Sequence, residues 1–257
     1  MLLAIDIGNT DMVFGLHDGS QWTDMWRHPS AEYLTVYAFA EARFAERGLH
    51  PHAVRRLVFS SVAPGISPTV LAEMERITGR KALIVGPELY RRMDMGIDNP
   101  NEIGSDLVAN AYAGYARAQG ACVVVDFGTA LTFTAVSGSG KILGVAIAPG
   151  LKTAMRALFF NTAQLPMVPL ELPGSAIGKN TAHALQAGIL LGYVGLVREL
   201  IGRIRGEMGE PARVIATGGL SSVLKPLHDA FDAVDPWLTL DGLRLLAEHY
   251  GERDADG

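Results

Sequence analysis

The sequence predicts an α/β fold of two similarly built lobes, each with a mixed sheet. Two observations carry that reading. A strand-like apolar run closed by Asp-x-Gly occurs twice in the 257 residues. Leu2–Asp6 leads into Asp6-Ile7-Gly8-Asn9-Thr10, and Cys122–Asp126 leads into Asp126-Phe127-Gly128-Thr129, an offset of 126 − 6 = 120 residues. Helical and strand-like patterns then alternate between and after the two copies. A chain of this length buries a sizeable core, as one large domain or two small ones. Its 49% hydrophobic and 19% charged residues belong to a folded chain rather than a disordered one.

Each motif is followed by a second β-rich stretch, Met12–Leu16 and Leu131–Val136. The turn clusters His17-Asp18-Gly19-Ser20 and Ser137-Gly138-Ser139-Gly140 come next, and then third strands at Gln21–Arg27 and Lys141–Ala146. Behind the first copy the pattern predicts a helix over Glu32–Arg47, a strand over Arg56–Val62, a helix over Ser67–Thr78 and a strand over Ala82–Val85. A helix over Asp106–Ala118 leads into the second copy. Behind that copy come a helix over Leu151–Phe160, a long helix over Asn180–Met208, a strand over Val214–Thr217 ending in Gly218-Gly219, and a Leu-rich helix over Asp241–Tyr250. In the long helix Leu185, Ile189, Tyr193, Leu196, Leu200 and Ile204 advance by three or four, the spacing of one face. That face reads as core, with a dimer contact as a further role. The expected division is 1–116 for the first lobe, with the first phosphate hairpin and the acceptor loop, and 117–257 for the second, with the other hairpin and the adenine side.

A formal charge of −5 and the lack of a Lys/Arg run predict a small-molecule partner, with neither nucleic acid nor membrane. The single cysteine, Cys122, lies in an apolar run and reads as a buried strand residue, consistent with a reducing compartment. No signal-length apolar segment precedes Asp6, and the apolar run Ala184–Val197 is shorter than the roughly 18 residues that span a bilayer, so a cytoplasmic location is expected.

The chemistry concentrates at three turns. A tight turn after a buried strand exposes backbone N–H groups, and Gly8 and Gly128 let an anion approach without a Cβ. Asn9, Thr10 and Thr129 add donors, while Asp6 can hold magnesium through water and Asp126 can face a cation. One such hairpin alone reads equally well as an Asx-capped turn. Two copies suggest that polyphosphate binds in a cleft between the lobes. Thr217-Gly218-Gly219 is a third glycine-relieved strand end, suited to a purine. The loop Asn99-Pro100-Asn101-Glu102-Ile103-Gly104-Ser105-Asp106 offers Ser105 as a helix N-cap and Asp106 at the first helical position, where the helix dipole favours the ionised carboxylate. Asp106 is then a candidate general base for an attacking alcohol, or an ordinary first-turn acid. No Walker A loop, dinucleotide fingerprint or zinc-ligand spacing is present.

These motifs occur in order with Ser60-Ser61-Val62-Ala63-Pro64, Ala146-Ile147-Ala148-Pro149-Gly150, Ile177-Gly178-Lys179-Asn180-Thr181 and Ala216-Thr217-Gly218-Gly219. With them the chain resembles, over nearly its whole length, the type III pantothenate kinases of the actin-like, ribonuclease H-like superfamily. The resemblance implies ATP-dependent phosphorylation of the primary hydroxyl of pantothenate, the first step of coenzyme A biosynthesis, with magnesium and a monovalent cation (potassium or ammonium), by a homodimer. It implies that Asp6, Ile7, Gly8, Asn9, Thr10, Asp11, Met12 and Val13 form the first ATP loop, joined by Gly128, Thr129, Gly218 and Gly219. Asp106 matches the proton acceptor and Asp126 the monovalent-cation ligand. Gly104, Ser105, Asp106 and Leu107 match the acceptor loop, with Ile97 and Thr181 as further acceptor contacts.

Two departures concern the acceptor. The family's arginine after the catalytic aspartate is Leu107 here, and its substrate-contacting tyrosine is Ile97. A charge-assisted hydrogen bond to the pantothenate carboxylate is worth about 1.5–3 kcal/mol, and leucine supplies none. Arg91, Arg92 or Arg156 are the candidates to compensate. Asp11, a carboxylate beside the phosphate turn, is a third oddity. Two alternatives follow: a kinase of the same family acting on another small alcohol, and a catalytically weak nucleotide-binding regulator.

Overall fold

The computed structural model describes residues 1–219 and 225–251. The chain forms two compact units: Met1–Ala113 with the segment from Leu238 onward, and Gly114–Trp237.

The first unit contains β1 (Leu2–Ile7), β2 (Asp11–His17), β3 (Trp22–Pro29), α1 (Val36–Glu46), β4 (Arg56–Ser61), α2 (Ser67–Thr78), β5 (Ala82–Val85), the one-turn α3 (Pro87–Tyr90) and the start of α4 (Ser105–Ala118). Its sheet runs β3-β2-β1-β4-β5, antiparallel on the β2 and β3 side and parallel on the other. The second unit contains β6 (Cys122–Phe127), β7 (Ala130–Val136), β8 (Ile142–Pro149), α5 (Leu151–Asn161), α6 (Thr181–Gln186), α7 (Gly192–Met208), β9 (Arg213–Thr217) and β10 (Ala233–Val234). Its order is β8-β7-β6-β9-β10 with the same polarities. The duplication expected from the Asp-x-Gly repeat is therefore present strand for strand.

Alternation at period two explains both cores. Leu3, Ile5 and Ile7 of β1 with Met12, Phe14 and Leu16 of β2 bury one face against α1 and α2. Val123, Val125 and Phe127 of β6 with Leu131 and Phe133 of β7 do the same in the second unit. The copies differ at the hairpin. Ile7 pairs with Met12 but Phe127 pairs with Leu131, so the second turn is one residue shorter.

Three boundaries differ from the sequence reading. The segment read as one helix over Glu32–Arg47 starts as a 3-10 turn, Ser30–Thr35, with non-helical backbone at Glu32. The helix over Asn180–Met208 is continuous from Thr181, capped by Asn180 Oδ1 accepting from the His183 N–H at 2.9 Å, but it contains a π turn at Ala187–Leu191. The extra residue in that turn rotates the stripe, so the fully buried row beyond it is Tyr193, Val197 and Ile201, with Leu196, Leu200 and Ile204 on its flank. By length and composition Thr181–Met208 is apolar enough to cross a membrane, unlike the shorter run considered above; its contribution to the second unit's core accounts for that apolarity. Finally α8 (Leu238–Tyr250), placed by sequence in the second lobe, packs on β1, β4 and β5 of the first unit. Leu238, Leu240, Leu243 and Leu246 are buried there, and the partition leaves 1–116 and 117–257 accordingly.

That packing depends on Gly242, where a Cβ would meet the Ala109 carbonyl oxygen at 1.9 Å. Gly242→Ala is expected to cost about 1–3 kcal/mol through overpacking, read as a thermal midpoint several degrees lower. Gly206→Ala, in α7 with nothing within 4 Å of the new methyl, is expected to leave stability unchanged or raise it by up to about 1 kcal/mol.

Candidate active site

The catalytic candidates of the first unit gather where β1 and β4 end side by side. Asp6 and Ser60 are register partners in the parallel pair, so their side chains share one face of the sheet. Ser60, 0% exposed, donates its hydroxyl to Asp6 Oδ1 at 2.8 Å. The buried Ser105 Oγ lies 2.9 Å from Ser60 Oγ, accepts from the Ser61 N–H at 3.0 Å and is 3.2 Å from the Ser61 carbonyl. An ionised carboxylate only accepts, which orients the Ser60 proton toward Asp6 and leaves Ser105 to donate to Ser60 or to the Ser61 carbonyl.

Ser105 is consequently not the N-cap expected from sequence. It is the first residue of α4, and its hydroxyl is drawn to β4. The Gly104 carbonyl starts the helix, accepting from the Leu107 and Val108 N–H groups at 3.1 and 3.2 Å. Asp106 caps locally instead, with Oδ1 accepting from the Leu107 N–H at 2.8 Å. Its carboxylate folds back over Gly104, where a Cβ would stand 2.4 Å from Oδ1. That close approach is why the loop carries glycine.

The helix terminus does not dominate the Asp106 charge. Burial pushes its carboxyl above the usual carboxylate range, against the lowering pull of the Leu107 and Asp106 N–H groups. Tyr90, buried at the end of α3, has its phenol pushed up by burial and further by the charge of Asp106, so it stays protonated. Neither Tyr90 nor Ser60 was assigned a role from sequence. Both are contributed by strand and helix ends distant in the chain, and only the Ser60-Ser61 motif hinted at one of them.

The remaining residues of the first turn divide by exposure. Asn9 and Thr10 are exposed, Gly8, Asp11 and Val13 half-buried, and Ile7 and Met12 0% exposed in the core. Ile7 and Met12 can therefore meet a nucleotide only through backbone. The turn closes with the Gly8 N–H on the Asp11 carbonyl at 3.0 Å. Beside it a cavity of about 340 Å³ is lined by Asn9, Ser30, Ala31, Ala63, Pro64 and Ile66.

Of the acceptor residues, Ile97 is half-buried in the loop before Pro100, while Leu107 is only 7% exposed. Its side chain belongs to the core, which explains an aliphatic residue there. Arg91 is paired with Glu88 at 2.9 Å and Arg92 lies over the Tyr250 ring, so both are engaged. Arg156 lies over Phe160 in the second unit.

In the second unit Asp126 is half-buried at the same strand position as Asp6. Its register partners are Thr217 on β9 and Thr132 on β7. The Thr132 hydroxyl is buried with no hydrogen-bond partner among the described residues. Gly218 has φ +89 and presses on this strand end, where a Cβ would meet Asp126 Oδ1 at 2.5 Å. Gly128, Thr129 and Gly219 are exposed. Thr153 Oγ1 and the Gly150 N–H, at the start of α5, both donate to the Thr129 carbonyl, at 2.7 and 3.0 Å. Thr181 is exposed at the start of α6. Cys122 is buried with its thiol pushed up to about 12 by burial, an inert residue. Among the described residues no three His, Cys, Asp or Glu side chains cluster as metal ligands.

Comparison with known proteins agrees with this geometry. The family model described as type III pantothenate kinase matches residues 2–203. A type III pantothenate kinase of Myxococcus xanthus is 40% identical over 258 residues, covering 99% of this chain and all of the relative. One from Moorella thermoacetica is 41% identical over 251 residues, covering 96% and 99%. Among solved structures, a Baf-family protein of Campylobacter jejuni aligns with TM-score 0.62 at 19% identity, over 96% of this chain and 98% of that one. A Sinorhizobium meliloti protein assigned as a 2-dehydro-3-deoxygalactonokinase aligns with TM-score 0.61 at 11% identity, over 97% and 99%. The latter two speak for the fold, the duplicated actin-like α/β architecture.

The Asp106 environment has a measurable consequence. Its folded pKa lies above its unfolded value of about 3.9, so its protonated form favours folding and that contribution is lost as pH rises through the folded pKa. Asp106→Asn is expected to match the native protein in thermal midpoint near pH 4 and to exceed it increasingly toward neutral pH. A pH series of thermal midpoints checks this.

Proposed function

The chain belongs to the type III pantothenate kinase family, and we propose that it transfers the γ-phosphoryl group of ATP to the primary hydroxyl of pantothenate, the first step of coenzyme A biosynthesis. The observation that carries the mechanism is Asp106, half-buried and raised in pKa beside the Asp6–Ser60–Ser105 chain. In this reading ionised Asp106 takes the proton of the attacking hydroxyl as its oxygen bonds to the γ-phosphorus. The bond from that phosphorus to the β–γ bridging oxygen breaks, and ADP leaves. A base whose pKa is raised toward neutral holds that proton better than an ordinary surface aspartate.

The exposed N–H groups and donors of the Gly8–Thr10 turn would hold phosphate oxygens, with Gly128 and Thr129 of the second unit contributing the same chemistry. Asp6 fits a magnesium held through water, because one carboxylate oxygen is already fixed by Ser60. Magnesium, when bound, supplies charge neutralisation at the phosphates. Asp126 fits a monovalent cation: the buried hydroxyl of its register partner Thr132, without a hydrogen-bond partner among the described residues, is an available oxygen donor, whereas the corresponding neighbour of Asp6 is Val13. Gly218 and Gly219 would border the purine, and Ile97, Thr181 and the Gly104–Leu107 loop the acceptor. A homodimer in the cytoplasm completes the reading; the exposed apolar Ile147 and Phe160 of the second unit supply surface for such a contact.

Relatives near 40% identity over the whole chain favour pantothenate over another small alcohol or a weak regulator. With magnesium and potassium present, ADP release is expected to depend on pantothenate. Asp106→Asn is expected to lower turnover by about 10²–10⁴-fold with ATP binding retained. Pantothenate-independent release, or unchanged turnover in the variant, contradicts the assignment. Thr132→Val is expected to raise the potassium concentration needed for half-maximal activity, leaving the thermal midpoint unchanged or higher. An unaltered potassium response removes Thr132 from the cation site.

A further inference from the structure

The first unit carries a second polar cavity, at the end of its sheet remote from the Asp6 turn. Leu2 pairs with His17 on β2 and with Arg56 on β4, so His17, Leu2 and Arg56 stand in a row on one face. That is the face covered by α8, which contributes Arg244 and Glu248 one turn apart. The cavity, about 310 Å³, is lined by His17, Gly19, Arg55, Arg56, Arg244 and Glu248. This is the lower end of small-ligand pockets, roughly 300–1,000 Å³. β1 separates it from Asp6 by four residues, about 13 Å at 3.3 Å per residue.

We propose that this cavity binds a compact phosphate-type oxyanion, gripped by Arg55, Arg56 and Arg244 and oriented by the imidazole of His17. Arg55 and Arg56 are exposed and form no ion pair among the described residues. Guanidinium groups pair with phosphate in bidentate fashion, which suits them to such a ligand. Arg244, which lines the cavity, is held by Asp241 through Nε at 3.4 Å and by Glu248 through Nη1 at 2.8 Å, and its Nη2 has no partner among the described residues.

His17 supplies the independent observation. It is 7% exposed, and its Nδ1 accepts from the Gly19 N–H at 3.1 Å. The neutral ring therefore carries its proton on Nε2, which has no partner among the described residues. Burial and the positive charge of Arg244 lower its pKa, so it presents a neutral N–H donor at physiological pH.

The opposing charges are accounted for. Glu248 remains on Arg244, Asp241 also accepts from Trp22 Nε1 at 2.8 Å, and Asp18 is turned into its own loop by the N–H groups of Gln21 and Ser20. The lining carboxylate Glu248 is engaged with Arg244, and Arg55, Arg56 and the His17 Nε2–H remain as donors with no ion-pair or hydrogen-bond partner for their side chains among the described residues.

The test follows the imidazole NMR signals of the full chain during titration with inorganic pyrophosphate. A parallel titration with glycerol 3-phosphate separates a free polyphosphate from the phosphoryl end of a metabolite. His17→Gln assigns the His17 signal, which distinguishes this cavity from binding at the phosphate turns. The expected result is a saturable shift of the His17 signal with at least one probe. Affinity should be about tenfold or more weaker in Arg55→Ala/Arg56→Ala, largely retained in Arg55→Lys/Arg56→Lys, and should fall with added salt. An unmoved His17 signal at millimolar concentrations of both probes overturns the proposal. So does a shift that persists undiminished in the double alanine variant, provided its thermal midpoint shows it folded.

Discussion

The parallel register of β1 against β4 is the constraint on which the site depends. It sets Asp6 beside Ser60, and the buried Ser60 hydroxyl then ties the Asp6 carboxylate to Ser105 at the start of α4. A hydrogen bond to a charged acceptor contributes about 1.5–3 kcal/mol, and a slip of one residue would turn every β1 side chain to the opposite face. The core on the other face, Leu3, Ile5 and Ile7, holds that register. Because Ser105 is fixed, the following residue is too, and Asp106 is held over Gly104 with its charge partly removed from water.

Duplication explains the second unit, and its strand end has diverged in the residues that flank the aspartate. Asp126 sits beside Thr217 as Asp6 sits beside Ser60. On the antiparallel side Val13 is replaced by Thr132, whose buried hydroxyl has no hydrogen-bond partner among the described residues. A carboxylate flanked by two hydroxyl residues is an oxygen-rich environment of the kind hard cations select. The turn is also one residue shorter and its Thr129 carbonyl is pinned by α5. Under the proposed function, the same strand end would hold magnesium through Asp6 in one copy and a less charged ion beside Asp126 in the other.

Most central strands were legible because they are short apolar runs bounded by turn residues, buried on both faces; β5 and α2 have the bounds read from sequence. The repeat was visible because Asp-x-Gly recurs after equivalent apolar runs. What escaped the sequence depends on tertiary packing. The return of α8 to the first sheet hangs on Gly242 meeting Ala109, residues far apart in the chain. Ser105 resembled a cap because local rules favour serine there, yet β4 offered its hydroxyl a better set of partners. The Asp106 pKa went the other way from the helix-dipole expectation because desolvation outweighs a terminal dipole once the carboxylate is covered. Leu107 looked like a lost substrate contact, but it is a core residue.

The central claim is that Ser60 acts through Asp6. A double-mutant cycle with Asp6→Ala and Ser60→Ala, read as kcat/KM for ATP with thermal midpoints as a check on folding, tests it most directly. The account predicts strong non-additivity, the double variant being no worse than Asp6→Ala alone. Losses that simply multiply would show the two residues acting independently and would contradict it.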